Sequence, residues 1–310
     1  MEIFDNITQL ACHTPLLRLN KLSQRYGCKT LLLAKLESWN PSGSVKDRSV
    51  LFMLKQAMQE GKLPPGGTVI DAGGGNAAVS LAMTCAALSL KAIIVVPDSI
   101  EKEFQVLLRT YGAKVVTVPA KEGMAGATAM AEKLYAEQEN AFIPHQFEND
   151  AACEAHRVAT GPEILEALPQ VDYFIAGVGT GATLTGCGEF LKSRCMDCRV
   201  IAVEPYDSPV LSGGFPSPHS LRGLGAGFVP DILNTQLIDE IIQVRTPDAV
   251  ELAGELCRTE GLLCGLSSGA ALAAAVSIAS RPEAQGKNLV VILPDAGERY
   301  LYADASSNSK

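Results

Sequence analysis

The stretch TVIDAGGGNAAVSLAMTCAALSLKAIIVVP, residues 68–97, decides the fold. A short β-branched run reaches Ala72, three glycines and an asparagine follow, an alanine-rich segment of helical length fills 76–90, and a second β-branched run covers 92–97. Short Val/Ile-rich runs that stop at Gly or Pro read as buried strands, and the longer small-residue segment between them reads as a helix. Core packing does not call for three consecutive glycines. They mark a place where something comes close to the backbone.

The same alternation continues outward. Buried strands are predicted at 114–119, 173–179, 200–205 and 289–295, and helices at 121–138, 157–168, 183–193, 247–259 and 269–280. Such alternation specifies an α/β fold of mostly parallel sheet covered by helices on both faces. The elements fall into two runs and predict two three-layer α/β/α lobes with a cleft between them. The smaller spans 40–147, and the larger combines 1–39 with 148–310. Sites in open α/β sheets lie at the carboxyl ends of strands, which is where the glycine clusters fall. No internal repeat is present, and the polar tail SSNSK (306–310) is expected to fray.

Composition excludes several classes of function. The 26 Lys and Arg against 34 Asp and Glu give a net charge of -8, with no basic block of the kind that tracks a phosphate backbone, so nucleic acid is not expected as a partner. MEIFDNITQL is not a secretory leader, and no window reaches the roughly 18 apolar residues of a membrane helix. The chain reads as cytoplasmic. Its nine cysteines fit small buried hydrophobes in a reducing compartment better than a disulfide framework. Cys195 and Cys198 form a lone CxxC, which supplies two of the four ligands zinc needs, so no metal site is predicted and a helix end is the plainer reading. His13, His145, His156 and His219 are isolated and read as packing or surface residues.

Two further segments carry chemistry. GVGTGAT (177–183) follows a predicted strand and opens a helix, so backbone N–H groups, the helix dipole and the hydroxyls of Thr180 and Thr183 can cradle a dianion. The same pattern also serves as a plain tight turn, and it lacks the GxGxxG spacing of a dinucleotide site. In NPSGSVKDR (40–48), Lys46 falls in the first turn of an apolar helical segment. The positive end of a helix dipole and partial burial both favour the neutral amine that forms a Schiff base, whereas the plainer reading is a solvated lysine between Asp47 and Arg48.

Taken together these segments resemble the cysteine synthase (O-acetylserine sulfhydrylase) and cystathionine β-synthase family of pyridoxal-phosphate enzymes, fold type II, which is tryptophan synthase β-like. The resemblance runs through TPLLRLN (14–20), AKLESWNPSGSVKDR (34–48), IPHQFEND (143–150), HRVATGPEI (156–164), AGVGTGATLTG (176–186), GLGAGFVP (223–230), GLLCGLSSGAA (261–271) and VVILPDAGERYL (290–301). It implies that Lys46 carries pyridoxal 5'-phosphate and acts as acid and base at the substrate α-carbon. It also implies that Gly179, Thr180, Gly181, Ala182 and Thr183 hold the phosphate, with Ala182 in place of a glycine. Asn76 corresponds to the residue that bonds the cofactor's ring oxygen, and Ser267 to the one facing its pyridine nitrogen. Serine there leaves the ring a weaker electron sink than aspartate would, which favours loss of a β-substituent over transamination. Gly73, Gly74, Gly75, Ala77, Gln146 and Gly225 are implied to hold the substrate.

The resemblance answers the question of the glycines and raises another. The family's carboxylate loop usually reads Thr-Ser-Gly-Asn-Thr, and here it is Gly73-Gly74-Gly75-Asn76-Ala77, without the three hydroxyl donors. Charge-assisted donors contribute roughly 1.5–3 kcal/mol each, so the loop is either reshaped for another amino acid or belongs to a decayed activity. PDSIEKEF (97–104) departs too, with Glu101 and Phe104 where the family has serine and arginine.

The expected function is β-replacement on a serine or cysteine derivative through an aminoacrylate, O-acetylserine and sulfide giving cysteine and acetate. The alternatives are another leaving group or nucleophile, as in cysteine desulfhydration, diaminopropionate or lanthionine formation, or a non-catalytic ligand-binding paralogue. The family implies a homodimer, a small lobe that closes over substrate, and docking of the serine acetyltransferase C-terminus. No haem-binding extension or C-terminal regulatory repeats are expected.

Overall fold

The computed structural model describes residues 3–301, and the tail predicted to fray lies outside them. The described strands are, in chain order, β1 (Leu16–Arg18), β2 (Leu31–Leu36), β3 (Thr68–Ala72), β4 (Lys91–Pro97), β5 (Lys114–Val118), β6 (Ala141–Phe142), β7 (Tyr173–Gly177), β8 (Arg199–Pro205), β9 (Ile238–Val244) and β10 (Asn288–Leu293). They build two sheets, one in each of two compact units. The protein is α/β with mostly parallel strands. No helix of the described residues is long and apolar enough to cross a membrane.

The smaller unit comprises Lys46–Ala152 and the segment that ends at Cys12. Its sheet has the order β5-β4-β3-β6, parallel throughout. Ile70 and Ile93, partners in register, pack with Val95 against Ala127 and Ala131 of the helix Gly123–Ala136. The two-residue period of a strand sends Val69, Asp71 and Ile94 to the opposite face, where all three are buried. Each buried Val or Ile stabilises this sheet by about 1.5–3 kcal/mol relative to an exposed one. The helix Gly75–Ala87 packs on β4 and carries the helix Lys46–Gln59 in turn.

The larger unit comprises His13–Val45 and the chain from Cys153 onward. Its sheet has the order β1-β2-β10-β7-β8-β9, with β1 antiparallel at one edge and the rest parallel. Leu289, Val291 and Leu293 of β10 share one core with the helix Leu266–Ala279, while Val290 and Ile292 share the other with Leu184, Cys187 and Leu191 of the helix Ala182–Arg194. A strand buried on both faces therefore reads as the unbroken apolar run LVVIL after Asn288. Small residues let the helices approach closely. A Cβ on Gly269 would lie 2.1 Å from the Ala249 carbonyl oxygen in the helix Thr246–Glu260.

Several expectations are corrected. The reading of the sequence omitted β1, β2, β6 and β9, because two of these are only two or three residues long, LLLAKL is leucine-rich rather than β-branched, and IDEIIQV is interrupted by charge. The single helix expected at 157–168 is instead a π-helical turn, His156–Thr160, followed by the α-helix Gly161–Ala167. The helix expected to reach 90 stops at Ala87, where the chain turns through Ser89 at φ +56. The N-terminal segment, expected in the larger lobe, belongs to the smaller unit, since the turn Ile7–Leu10 packs on the helix Gly75–Ala87.

Candidate active site

In the smaller unit the chemistry gathers at the carboxyl end of β3. Lys46 is the first residue of its helix and is half-buried, followed by the buried Asp47, Arg48 and Ser49. Burial pulls its amine down to about 8, against the opposing influence of the Asp71 carboxylate. At pH 7.5 roughly a quarter of such an amine is neutral, compared with about 0.1% at its ordinary value. Asp71 is the last residue but one of β3, and burial pushes its carboxyl up to about 7, restrained by a hydrogen bond from the Ala72 N–H and by the Lys46 charge. The sequence reading missed Asp71. The available signal was one acid in the otherwise apolar run TVIDA.

Immediately after β3 comes the glycine loop. Gly73 has φ +154 and Gly75 has φ +73, both conformations that favour glycine. Gly74 caps the helix Gly75–Ala87 without a side-chain hydrogen bond, and Asn76 and Ala77 lie in the first turn. The leading N–H groups of a helix have no intrahelical partner, so this end offers main-chain donors to an anion. The structure thus gathers Lys46, Asp71 and residues 73–77 in one unit. Gln146 belongs to the same unit, half-buried in the turn where the Glu148 and Asn149 N–H groups donate to the His145 carbonyl.

In the larger unit the second glycine cluster joins β7 to the helix Ala182–Arg194. Gly179 has no room for a side chain, since a Cβ there would lie 2.2 Å from the Gly223 carbonyl oxygen. Gly181 caps the helix at φ +88, and the first turn carries no acidic residue that would repel an anion. The methyl of Ala182 is 1% exposed, so it lies in the core and does not crowd the open side of the turn. Thr180 is buried, and its hydroxyl accepts from the Ala182 N–H at 3.4 Å. Thr183 Oγ1 lies 3.2 Å from Nε2 of the fully buried His156, whose Nδ1 is 2.9 Å from Thr160 Oγ1. His156 is therefore a support beneath the loop. The Gly225 N–H donates to the Val178 carbonyl, which lays the segment Gly223–Gly225 along the same turn, and His219 Nε2 lies 3.1 Å from the Gly225 carbonyl.

Ser267 stands in the first turn of the helix Leu266–Ala279, 5% exposed, and its hydroxyl donates to Asp295 Oδ1 at 3.4 Å. The Tyr300 hydroxyl donates to the other oxygen of Asp295, which is itself 3% exposed. The role of Asp295 was not legible in PDAGERYL. Cys195 and Cys198 are buried free thiols, and burial pushes Cys198 up to about 12. The Cys195 N–H donates to the Leu191 carbonyl and ends the helix Ala182–Arg194. Among the described residues, no cluster of His, Cys, Asp or Glu could hold a metal ion.

Each unit, taken by itself, carries groups that suit pyridoxal phosphate. A turn closed to side chains at Gly179 and capped by a helix N-terminus suits a phosphate, a lysine held near 8 suits an aldehyde, and the buried Ser267 hydroxyl suits a ring nitrogen. Comparison with known proteins agrees. A family model for pyridoxal-phosphate dependent enzymes matches residues 7–295. A cysteine synthase of Staphylococcus aureus is 44% identical over 299 residues, 96% of this chain and 95% of that protein. The crystal structure of a cysteine synthase from Entamoeba histolytica superposes with a TM-score of 0.95 at 36% identity, over 99% of this chain and 91% of that one. That of an O-ureido-L-serine synthase does so with a TM-score of 0.93 at 36% identity, over 100% and 97%. The chain accordingly belongs to the family of pyridoxal-phosphate dependent enzymes and is cysteine synthase-like.

Proposed function

We propose that this enzyme replaces the β-substituent of a serine or cysteine derivative, and that O-acetylserine with sulfide, giving cysteine and acetate, is the reaction it fits best. The observation that carries the proposal is Lys46: a helix-initial lysine with its amine held at about 8, in a chain 44% identical to a cysteine synthase. When bound, the cofactor supplies the electron sink for loss of the α-proton and the β-substituent. Lys46 Nζ would hold the cofactor and, when released, take the proton from the substrate α-carbon and return it. Gly179–Thr183 and the helix end behind them would hold the phosphate, Asn76 the ring oxygen and Ser267 the ring nitrogen. A hydroxyl at that nitrogen does not hold it protonated, which favours β-elimination. Main-chain donors of Gly73, Gly74, Gly75 and Ala77, with Gln146 and Gly225, would hold the amino acid. The protein would act as a cytoplasmic homodimer, with the serine acetyltransferase C-terminus as a ligand of the same site.

The loop without hydroxyls favours a second reading, the same chemistry with another leaving group or nucleophile. Its support is that the solved relatives include an O-ureido-L-serine synthase. Assay of the purified enzyme with sulfide and O-acetylserine, O-phosphoserine, serine or cysteine in turn distinguishes the two. Cysteine formed from O-acetylserine at a rate well above the others supports the first reading. Turnover of another substrate alone replaces it with the second, and no turnover of any sinks both.

A further inference from the structure

The three glycines of the loop are not equivalent. Gly73 and Gly75 are glycine for backbone reasons, at φ +154 and +73. Gly74 is not: φ -116 and ψ -173 is extended backbone open to any residue. What a side chain there would meet is the end of Ile100. A Cβ at Gly74 would lie 2.4 Å from Cδ1 of Ile100 and 3.5 Å from its Cγ1. Ile100 thus fills the volume that a side chain at 74 would need. It sits in the turn after β4, where its N–H donates to the Pro97 carbonyl and its own carbonyl accepts from Gln105 Nε2 at 3.4 Å. Branching at Cβ limits its χ1, while Cδ1 can still move about χ2.

We infer that Ile100 is a specificity-determining residue of the carboxylate loop. It lies against Gly74, keeps water from the main-chain N–H groups at the start of the helix Gly75–Ala87, and so takes the place of a hydroxyl side chain at 74. The inference rests on the proposed reading of residues 73–77 as the loop that receives the substrate carboxylate. A hydrogen bond to a charged acceptor strengthens as the local dielectric falls, so a drier loop with fewer donors can hold the same anion. Ile100 in its present rotamer and a side chain at 74 exclude each other. A side chain at 74 requires the end of Ile100 to swing aside, so the two compete for one volume.

The test is a double-mutant cycle on the holoenzyme, with Ile100→Ala, Gly74→Ser and the pair. The readout is the dissociation constant of L-serine, taken from the shift it causes in the cofactor's visible absorption, with melting temperature as the check that each variant folds. Ile100→Ala is expected to weaken L-serine by about tenfold. Gly74→Ser is expected to weaken binding when Ile100 is present and to tighten it in the Ile100→Ala background, where the hydroxyl has room to donate. An Ile100→Ala constant within twofold of the parent overturns the inference, as does a Gly74→Ser effect of the same sign and size in both backgrounds. A parent holoenzyme that shows no spectral response to L-serine, O-acetylserine or L-cysteine overturns the carboxylate-loop reading, and the inference with it.

Discussion

Asp71 and Lys46 perturb one another in opposite senses: the carboxylate favours the charged amine, the amine favours the charged carboxylate, and burial works against both charges. The outcome is an amine at about 8 and a carboxyl at about 7, which places both changes of charge close to neutral pH. Asp71→Asn removes the influence that raises the amine. The neutral form of Lys46 should then appear at lower pH, and the rate at which cofactor-free protein takes up pyridoxal phosphate should have its pH midpoint displaced toward acid. An unmoved midpoint would mean that Asp71 does not act on Lys46.

Lys46→Ala removes both the proposed attachment point and the proposed base. Turnover should fall by at least about a thousandfold, and the visible absorption of the lysine-bound cofactor should vanish even when pyridoxal phosphate is supplied in excess. Retention of full turnover would end the assignment of Lys46.

Gly179→Ala tests the proposed phosphate turn. Its new Cβ would meet the carbonyl of Gly223 at 2.2 Å, and backbone cannot swing aside as a side-chain end can. Overpacking of this kind costs about 1–3 kcal/mol, so a lower melting temperature and loss of cofactor on dialysis are expected together. A variant that melts normally and keeps its cofactor would show that the close approach does not constrain the turn.

Ser267→Asp asks whether the ring nitrogen could have been given a carboxylate. Asp295 Oδ1 is 3.4 Å from the Ser267 hydroxyl, so the variant would set two buried carboxylates side by side. One of them must hold a proton, and its folded-state pKa rises above the unfolded value. A raised carboxylate pKa means that the variant's stability is full in acid and is lost as pH rises through the new value. Thermal melts from pH 4 to pH 8 should therefore diverge from the parent as pH increases, by roughly 3 kcal/mol at the top of the range. Adding Asp295→Asn should remove the divergence. Parallel melting curves would place Asp295 out of contact with position 267.

Much of this was written locally. TVIDA, AIIVVP and NLVVIL declare buried strands because each is a short apolar run stopped by turn residues, and GVGTGAT declares a strand-to-helix turn because Gly181 must take a positive φ there. The strands that escaped, such as β6 and β9, are short or charged and are strands only because a neighbour pairs with them. His156 looked like an isolated packing residue, and only its contacts with Thr160 and Thr183 make it a support for the turn at 179–183.

The sequence by itself determined the α/β fold and the cofactor class, because strand period, turn chemistry and motif order are properties of neighbours along the chain. The tertiary structure alone decided that Asp71 acts on Lys46, that Asp295 and Tyr300 stand behind Ser267, and that Ile100 fills the space beside Gly74. Each of these joins residues from separate connections, and what a side chain's pKa or a missing side chain means depends on what the fold packs against it.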